Sequence, residues 1–344
     1  MNFIRAFLLI LILGVSCKVD TDKSKKQKFQ KNLVLSYLLT NQSLADHYSQ
    51  VFYLDPLFLT SKNYNLFPIA NSTNVNSTKK KLILIHGWQP EDKNINSIPS
   101  EQDLKIRLVE IIWKDLFNSS FLAQVISKGY DVYFYTYLTT ARIDENGHRL
   151  RTKLNLLFQS QIKNVFIYAH SMGGLVVKFA VDLEQEPSYI SKIYTIGTPY
   201  HGSPWASSAF QAEKSILGEL AYFLTNSEGG KHLAWDNFNN SLPGANNKFL
   251  DNLNQNKTRN YLFYVYYGSL NTTAFNYSGI DTFLLPACNA LGNNFSPSDC
   301  IVPVSSAGPS DFGFSKLTNL GNLNHIDINL RVTSVQNQIL SDLD

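Results

Sequence analysis

The chain has 344 residues, 44% of them hydrophobic and only 17% charged, a composition that buries a large core and excludes a disordered tail. A formal net charge of +3, with lysines thinning out after Lys81, gives no continuous basic face and excludes nucleic acid as a partner. The 22 Phe and 18 Tyr suit a large core and an apolar substrate site equally.

Met1–Cys17 reads as an export signal: Arg5 carries positive charge, Ala6–Leu13 is unbroken apolar, and Gly14, Val15 and Ser16 precede Cys17. The apolar run is shorter than the roughly 20 residues a bilayer-crossing helix needs. Small residues ending in Cys17 resemble a bacterial lipobox, which implies lipidation of Cys17 and a membrane-anchored lipoprotein of a bacterial cell envelope. Gly14 stands where a leucine is usual, so simple cleaved secretion is the second reading. Lys18–Lys31, dense in Lys, Asp, Ser and Gln, has the composition of a solvated tether, and residues 18–80 are expected to be tether and N-terminal extension.

From Lys81 short apolar runs rich in β-branched and aromatic residues alternate with stretches of helical period. Strands are expected at Leu82–Ile85, Asp131–Tyr135, Val165–Tyr168, Ile193–Ile196 and Tyr261–Tyr267. Helices are expected at Ile106–Phe117, Leu150–Phe158 and Gly173–Leu183. The order predicts an α/β protein: a mainly parallel, right-handed, doubly wound sheet with flanking helices over residues 81–344. Residues 206–256 break the alternation with Leu217, Leu220, Tyr222, Phe223, Trp235 and Phe238. They are expected to cap the site, the other reading being further helix of the body. Asn271–Pro297 reads as loop. With Cys17 taken by lipid, Cys288 and Cys300 are left to pair in an oxidising compartment, or to stand as two buried thiols.

Ala169-His170-Ser171-Met172-Gly173-Gly174 lies directly between a strand and a helical stretch. A serine hydroxyl needs a base and an exposed position, and a tight strand-to-helix turn lifts Ser171 Oγ above the sheet. Small Ala169 and Gly173 let that turn close. Leu82–Ile85 leads into His86-Gly87-Trp88, a turn that offers the Trp88 N–H to an oxyanion, with the Met172 N–H as second donor. His86 itself fits a structural role in that turn better than a base.

With these motifs the chain resembles the α/β-hydrolase superfamily and, within it, the bacterial true lipases and related esterases of triacylglycerol lipase type, over roughly Lys81–Asp344. Thr195-Ile196-Gly197-Thr198-Pro199-Tyr200-His201-Gly202-Ser203 is similar to that family's Gly-Thr-Pro-His-x-Gly-Ser segment, which shapes the site and makes His201 structural. The family order of serine, acid, histidine selects His325 as base, because Asn324-His325-Ile326-Asp327 resembles the family's Asn-His-Leu-Asp stretch. Ser298–Ser306 resembles its Asp-Gly-x-Val-x-x-x-Ser segment and makes Asp299 the acid, with Cys300 in place of the glycine; Asp281 and Asp311 are the rival acids. The resemblance also implies a structural Ca²⁺ on Asp281 and Asp327, although two carboxylates fall short of its usual 6 to 8 or so oxygen ligands. The alternative for Asp327 is the start of the C-terminal helix. No cofactor is expected for the chemistry. The expected function is cleavage of carboxylic esters, lipid esters above all, through an acyl-enzyme. Acyl transfer by the same triad, or a silent hydrolase scaffold that binds lipid or a partner at the membrane, are the other two readings.

Overall fold

The computed structural model describes residues 44–56, 66–69, 79–95, 97–158, 164–182, 188–207, 226–238, 242, 246–270, 288–289, 291 and 295–343. Cys17 and the expected export signal lie outside them. So do Asp281 and most of the expected loop. Among the described residues no helix is long and apolar enough to cross a membrane.

Eight strands form one sheet: β1 (Gln50–Leu54), β2 (Leu66–Pro68), β3 (Lys80–Ile85), β4 (Tyr130–Thr136), β5 (Val165–His170), β6 (Ile190–Ile196), β7 (Phe263–Tyr267) and β8 (Lys316–Asn319). Their order across the sheet is β2-β1-β4-β3-β5-β6-β7-β8. β3 to β8 pair in parallel, and β1 joins β2 and β4 antiparallel. The parallel strands at the centre are apolar on both faces, as a sheet covered on both sides requires. Ile83, Ile85, Tyr133, Tyr135 and Ile167 meet α4 (Ile143–Phe158) and α5 (Met172–Asp182) on one face. Leu82, Leu84, Phe134, Tyr168 and Ile196 meet α2 (Lys114–Phe117), α3 (Phe121–Ser127) and α9 (Thr333–Asp342) on the other. Each such large apolar side chain contributes about 1.5–3 kcal/mol by leaving water.

The sheet differs from the sequence expectation in three places. First, the fold begins before residue 81: one unit spans Leu44–Asp344, and β1 and β2 extend the sheet from within the segment expected to be tether and extension. Second, the helix expected over Ile106–Phe117 is broken. α1 (Glu101–Ile106) starts on a Ser100/Asp103 capping box, a π-helical stretch follows at Arg107–Ile112, and α2 ends the run. The break coincides with Arg107, whose side chain turns inward to Asp92 and Thr136 instead of outward to water. Third, the described part of the expected cap packs into the body. Leu233 and Trp235, which follow α6 (Glu228–His232), and Leu250 and Leu253 of α7 (Lys248–Gln255), are buried in the same cluster as the strand residues. Residues 208–225 lie outside the described ones.

α6 also supplies a pH dependence. His232 Nδ1 accepts the Ile143 N–H at 3.3 Å and its ring stacks on Phe249, with centroids 4.0 Å apart. Burial pulls its pKa down to about 4, against the opposing pull of Asp144. The unfolded chain, with an ordinary histidine near 6.5, therefore binds this proton first, and stability falls as pH drops from about 6.5 to 4. A single group of this kind accounts for roughly 3 kcal/mol across that window. Urea unfolding of His232→Gln at several pH values is expected to show a shallower loss over that window than the parent.

Candidate active site

β5 ends at His170 and α5 begins at Met172, so Ser171 occupies the turn between them. Its φ of 53° is the left-handed conformation of a nucleophile elbow. The turn is fixed by Ser171 N–H to the Ile196 carbonyl at 2.8 Å and Gly174 N–H to the Ser171 carbonyl at 3.0 Å. It closes against β3: a Cβ on Gly173 would lie 2.5 Å from the His86 carbonyl oxygen, which admits only glycine.

Three distant segments meet at this turn. His325 Nε2 lies 2.9 Å from Ser171 Oγ, and His325 Nδ1 lies 2.7 Å from Asp299 Oδ2. All three residues are buried. Asp299 is held by its other oxygen, which accepts the N–H groups of Ile301 at 3.0 Å and Val302 at 2.7 Å. His325 N–H is bound to the Asp299 carbonyl at 2.8 Å, so the two residues are tied through main chain as well as side chain. Asn324 Oδ1 accepts from the N–H groups of Ile326 and Asp327, which shapes the turn that carries His325.

Cys300 takes the place of a glycine at a cost that is visible: its φ is 77°, in the left-handed region. It is joined to Cys288 in a disulfide, its N–H donates to Ser298 Oγ and its carbonyl accepts the Trp205 indole N–H at 3.1 Å. These partners hold the backbone next to Asp299 in a conformation its own side chain disfavours.

The turn expected to receive an oxyanion follows the end of β3. A Cβ on Gly87 would lie 2.8 Å from Ser171 Cβ, so the His86-Gly87-Trp88 turn packs tightly against Ser171. Met172 opens α5, where first-turn N–H groups have no partner within the helix and point toward negative charge. His86 is not a base. Its Nδ1–H donates to the Gly87 carbonyl at 2.8 Å, its ring stacks on Tyr137 and its carbonyl takes the Tyr137 hydroxyl. Burial, then Arg107, holds its pKa well below the usual histidine range.

Sequence reasoning missed the polar network under that turn. Arg107 Nη2 reaches Asp92 Oδ1 at 2.7 Å and Oδ2 at 2.8 Å, both residues buried. Asp92 Oδ2 also accepts the N–H and the hydroxyl of Thr139, each at 2.7 Å, and Thr139 Oγ1 accepts the Gln89 N–H at 3.1 Å. The ion pair thus fastens the residue after Trp88 to the end of β4. Asp92→Ala leaves a buried guanidinium unpaired and is expected to cost about 3–5 kcal/mol of stability, read from denaturant unfolding.

The remaining expected residues fall elsewhere. His201 Nδ1 pairs with Asp236 at 2.5 Å and its ring stacks on Phe238, a structural role. Asp311 is bonded to Lys257 at 3.0 Å and is not the acid partner of His325. Asp327 Oδ2 accepts from the Asn324 amide at 2.6 Å, and α9 starts only at Thr333, so Asp327 braces the His325 turn instead of opening the helix. Its expected calcium partner, Asp281, lies outside the described residues. Among the described residues no group of three or more His, Cys, Asp or Glu is placed to hold a metal ion.

The chain is similar to known proteins in part and in fold. A family model described as lecithin:cholesterol acyltransferase matches residues 123–215, which include the elbow. No curated protein matches the sequence. Among solved structures, the mature form of the Bacillus licheniformis lipase BlEst2 is 18% identical, covering 79% of this chain and 94% of that one with a TM-score of 0.52. Its propeptide form is 19% identical, covering 78% of this chain and 52% of that one with a TM-score of 0.50. A phospholipase, PlaB from Legionella pneumophila, is 18% identical, covering 66% of this chain and 45% of that one at a TM-score of 0.40. Strand order, elbow and the likeness to BlEst2 show an α/β-hydrolase fold.

Proposed function

We propose that the chain is a serine hydrolase that cleaves carboxylic esters, lipid esters first among them, through an acyl-enzyme on Ser171. The observation that carries this is the unbroken contact from Ser171 Oγ through both nitrogens of His325 to Asp299 Oδ2. As Oγ attacks the ester carbonyl, His325 Nε2 takes its proton and Asp299 stabilises the imidazolium. The Trp88 and Met172 amides receive the negative oxygen of the tetrahedral intermediate. The imidazolium then protonates the departing alcohol. A water, deprotonated by the same nitrogen, releases the acid and restores Ser171.

Two features support lipid substrates: the name of the family model that matches 123–215, and the N-terminal sequence up to Cys17, which reads as an export signal. We place the enzyme outside the cytoplasm, held at a membrane by lipid on Cys17 or released after cleavage. The acyltransferase in that family name also favours a second outcome for the same intermediate, capture of the acyl group by an alcohol in place of water. Nitrophenyl esters from acetyl to palmitoyl, assayed with and without a long-chain alcohol, test both. Hydrolysis that rises with acyl length supports the proposal, and ester product formed with the alcohol supports transfer. No turnover of any ester, together with no labelling by a fluorophosphonate, would leave a silent binding scaffold and refute it.

A further inference from the structure

A second buried imidazole stands at the elbow and takes no part in the steps above. His170 Nε2 lies 3.0 Å from the main-chain carbonyl oxygen of His325. A carbonyl only accepts, so this nitrogen carries a proton. The two rings are tilted against each other with centroids 4.7 Å apart. On the other side of the ring, a Cβ on Gly87 would lie 3.0 Å from His170 Nδ1, which puts that nitrogen against the turn that leads to Trp88. One imidazole therefore touches the base turn and the oxyanion turn while its own backbone runs into the nucleophile.

Taking Ser171 as nucleophile and His325 as its base, as proposed above, we propose that His170 is a positioning residue that holds the base turn in register with the elbow as a neutral Nε2–H donor. The main chain of His325 has two such tethers, its N–H on the Asp299 carbonyl and its C=O on His170. The first aligns base with acid, and the second aligns base with nucleophile. The elbow end of the second tether is itself anchored, because Ser171 N–H is bound to β6 at Ile196. Without the His170 bond the His325 peptide keeps its bonds within its own turn, among them Ile326 N–H on Asn324 Oδ1, but loses this link to the elbow, and the turn shifts so that Nε2 moves away from Oγ. Neutrality matters as much as geometry. A charged ring this close would oppose the imidazolium that His325 must become. Burial, reinforced by His325 and His86, keeps the His170 pKa well below the usual histidine range.

Two variants and one spectrum test this. His170→Phe keeps a flat ring in the pocket and removes the donor, whereas His170→Gln keeps an N–H for the carbonyl. With active sites counted by fluorophosphonate titration, kcat per site of His170→Phe is expected to fall about tenfold to a hundredfold, with KM within about twofold of wild type. His170→Gln is expected to recover most of that loss. A purely packing role lowers the number of titratable sites and leaves the rate per site alone, so an unchanged kcat per site overturns the proposal, as does equal loss in both variants. The ¹⁵N histidine spectrum of the wild type needs no variant to fold. It is expected to show His170 at neutral pH as the Nε2–H tautomer, and an Nδ1–H tautomer or an imidazolium there overturns the proposal as well. A wild type that neither turns over esters nor labels removes instead the hydrolase assignment on which the positioning role rests.

Discussion

Ser171→Ala is expected to lower kcat for ester hydrolysis by about 10⁶-fold while leaving the fold intact, because every covalent step of the proposed mechanism passes through its hydroxyl. What remains, on the order of 10³-fold over water, comes from the oxyanion donors and from substrate binding. Alanine fits the turn: the elbow is fixed by main-chain bonds at positions 171 and 174, not by the hydroxyl. Unfolding free energy should therefore move by less than about 1 kcal/mol, and that control separates lost chemistry from lost structure. Steady-state hydrolysis of a nitrophenyl ester, paired with urea unfolding, checks both halves.

Asp299→Asn is expected to cost about 10⁴-fold in kcat with little change in KM, for a reason legible in the hydrogen bonds. Asp299 Oδ1 accepts two main-chain N–H groups, from Ile301 and Val302, which can only donate. An asparagine must turn its carbonyl oxygen toward them, and its NH₂ then faces His325 Nδ1. To accept from that NH₂, Nδ1 must give up its proton, and the neutral imidazole carries it on Nε2 instead. In that tautomer Nε2 has no lone pair for the Ser171 proton, so the base is present and in contact but of the wrong form. Pre-steady-state acylation should slow with the steady-state rate. A loss confined to KM would point to a binding role for Asp299 instead.

Much of this site was legible because the chemistry imposes local order. The elbow announces itself by a strand, a serine between small residues and a helix in immediate succession. The order of serine, acid and histidine that the family resemblance implies then leaves few choices for the partners. Asp299 and Asp311 were harder to separate, since each precedes His325 at a plausible distance, and only contact distinguishes the buried partner of His325 from the exposed partner of Lys257. The Asp92–Arg107 pair was not legible at all. Charged residues scattered among polar ones read as a solvated surface, and the apolar period across Arg107 continues as if the helix were unbroken. Nor did the sequence mark β8, whose Lys316-Leu317-Thr318-Asn319 is a half-exposed edge strand without an apolar run. β1 is short and antiparallel, and its place in the sheet depends on pairing with β4 some eighty residues later in the chain, a non-local choice that no window of sequence contains. The left-handed backbone of Cys300 was flagged only as a missing glycine; the disulfide and the Trp205 indole hold the cysteine in the glycine's conformation.

The most direct measurement is mass spectrometry of the enzyme quenched during the burst of nitrophenol release from a slowly deacylated ester. One acyl group is expected on the peptide that contains Ser171, with neither adduct nor burst in Ser171→Ala. An acyl group carried by a different residue, or steady turnover with an unmodified Ser171, would contradict the account.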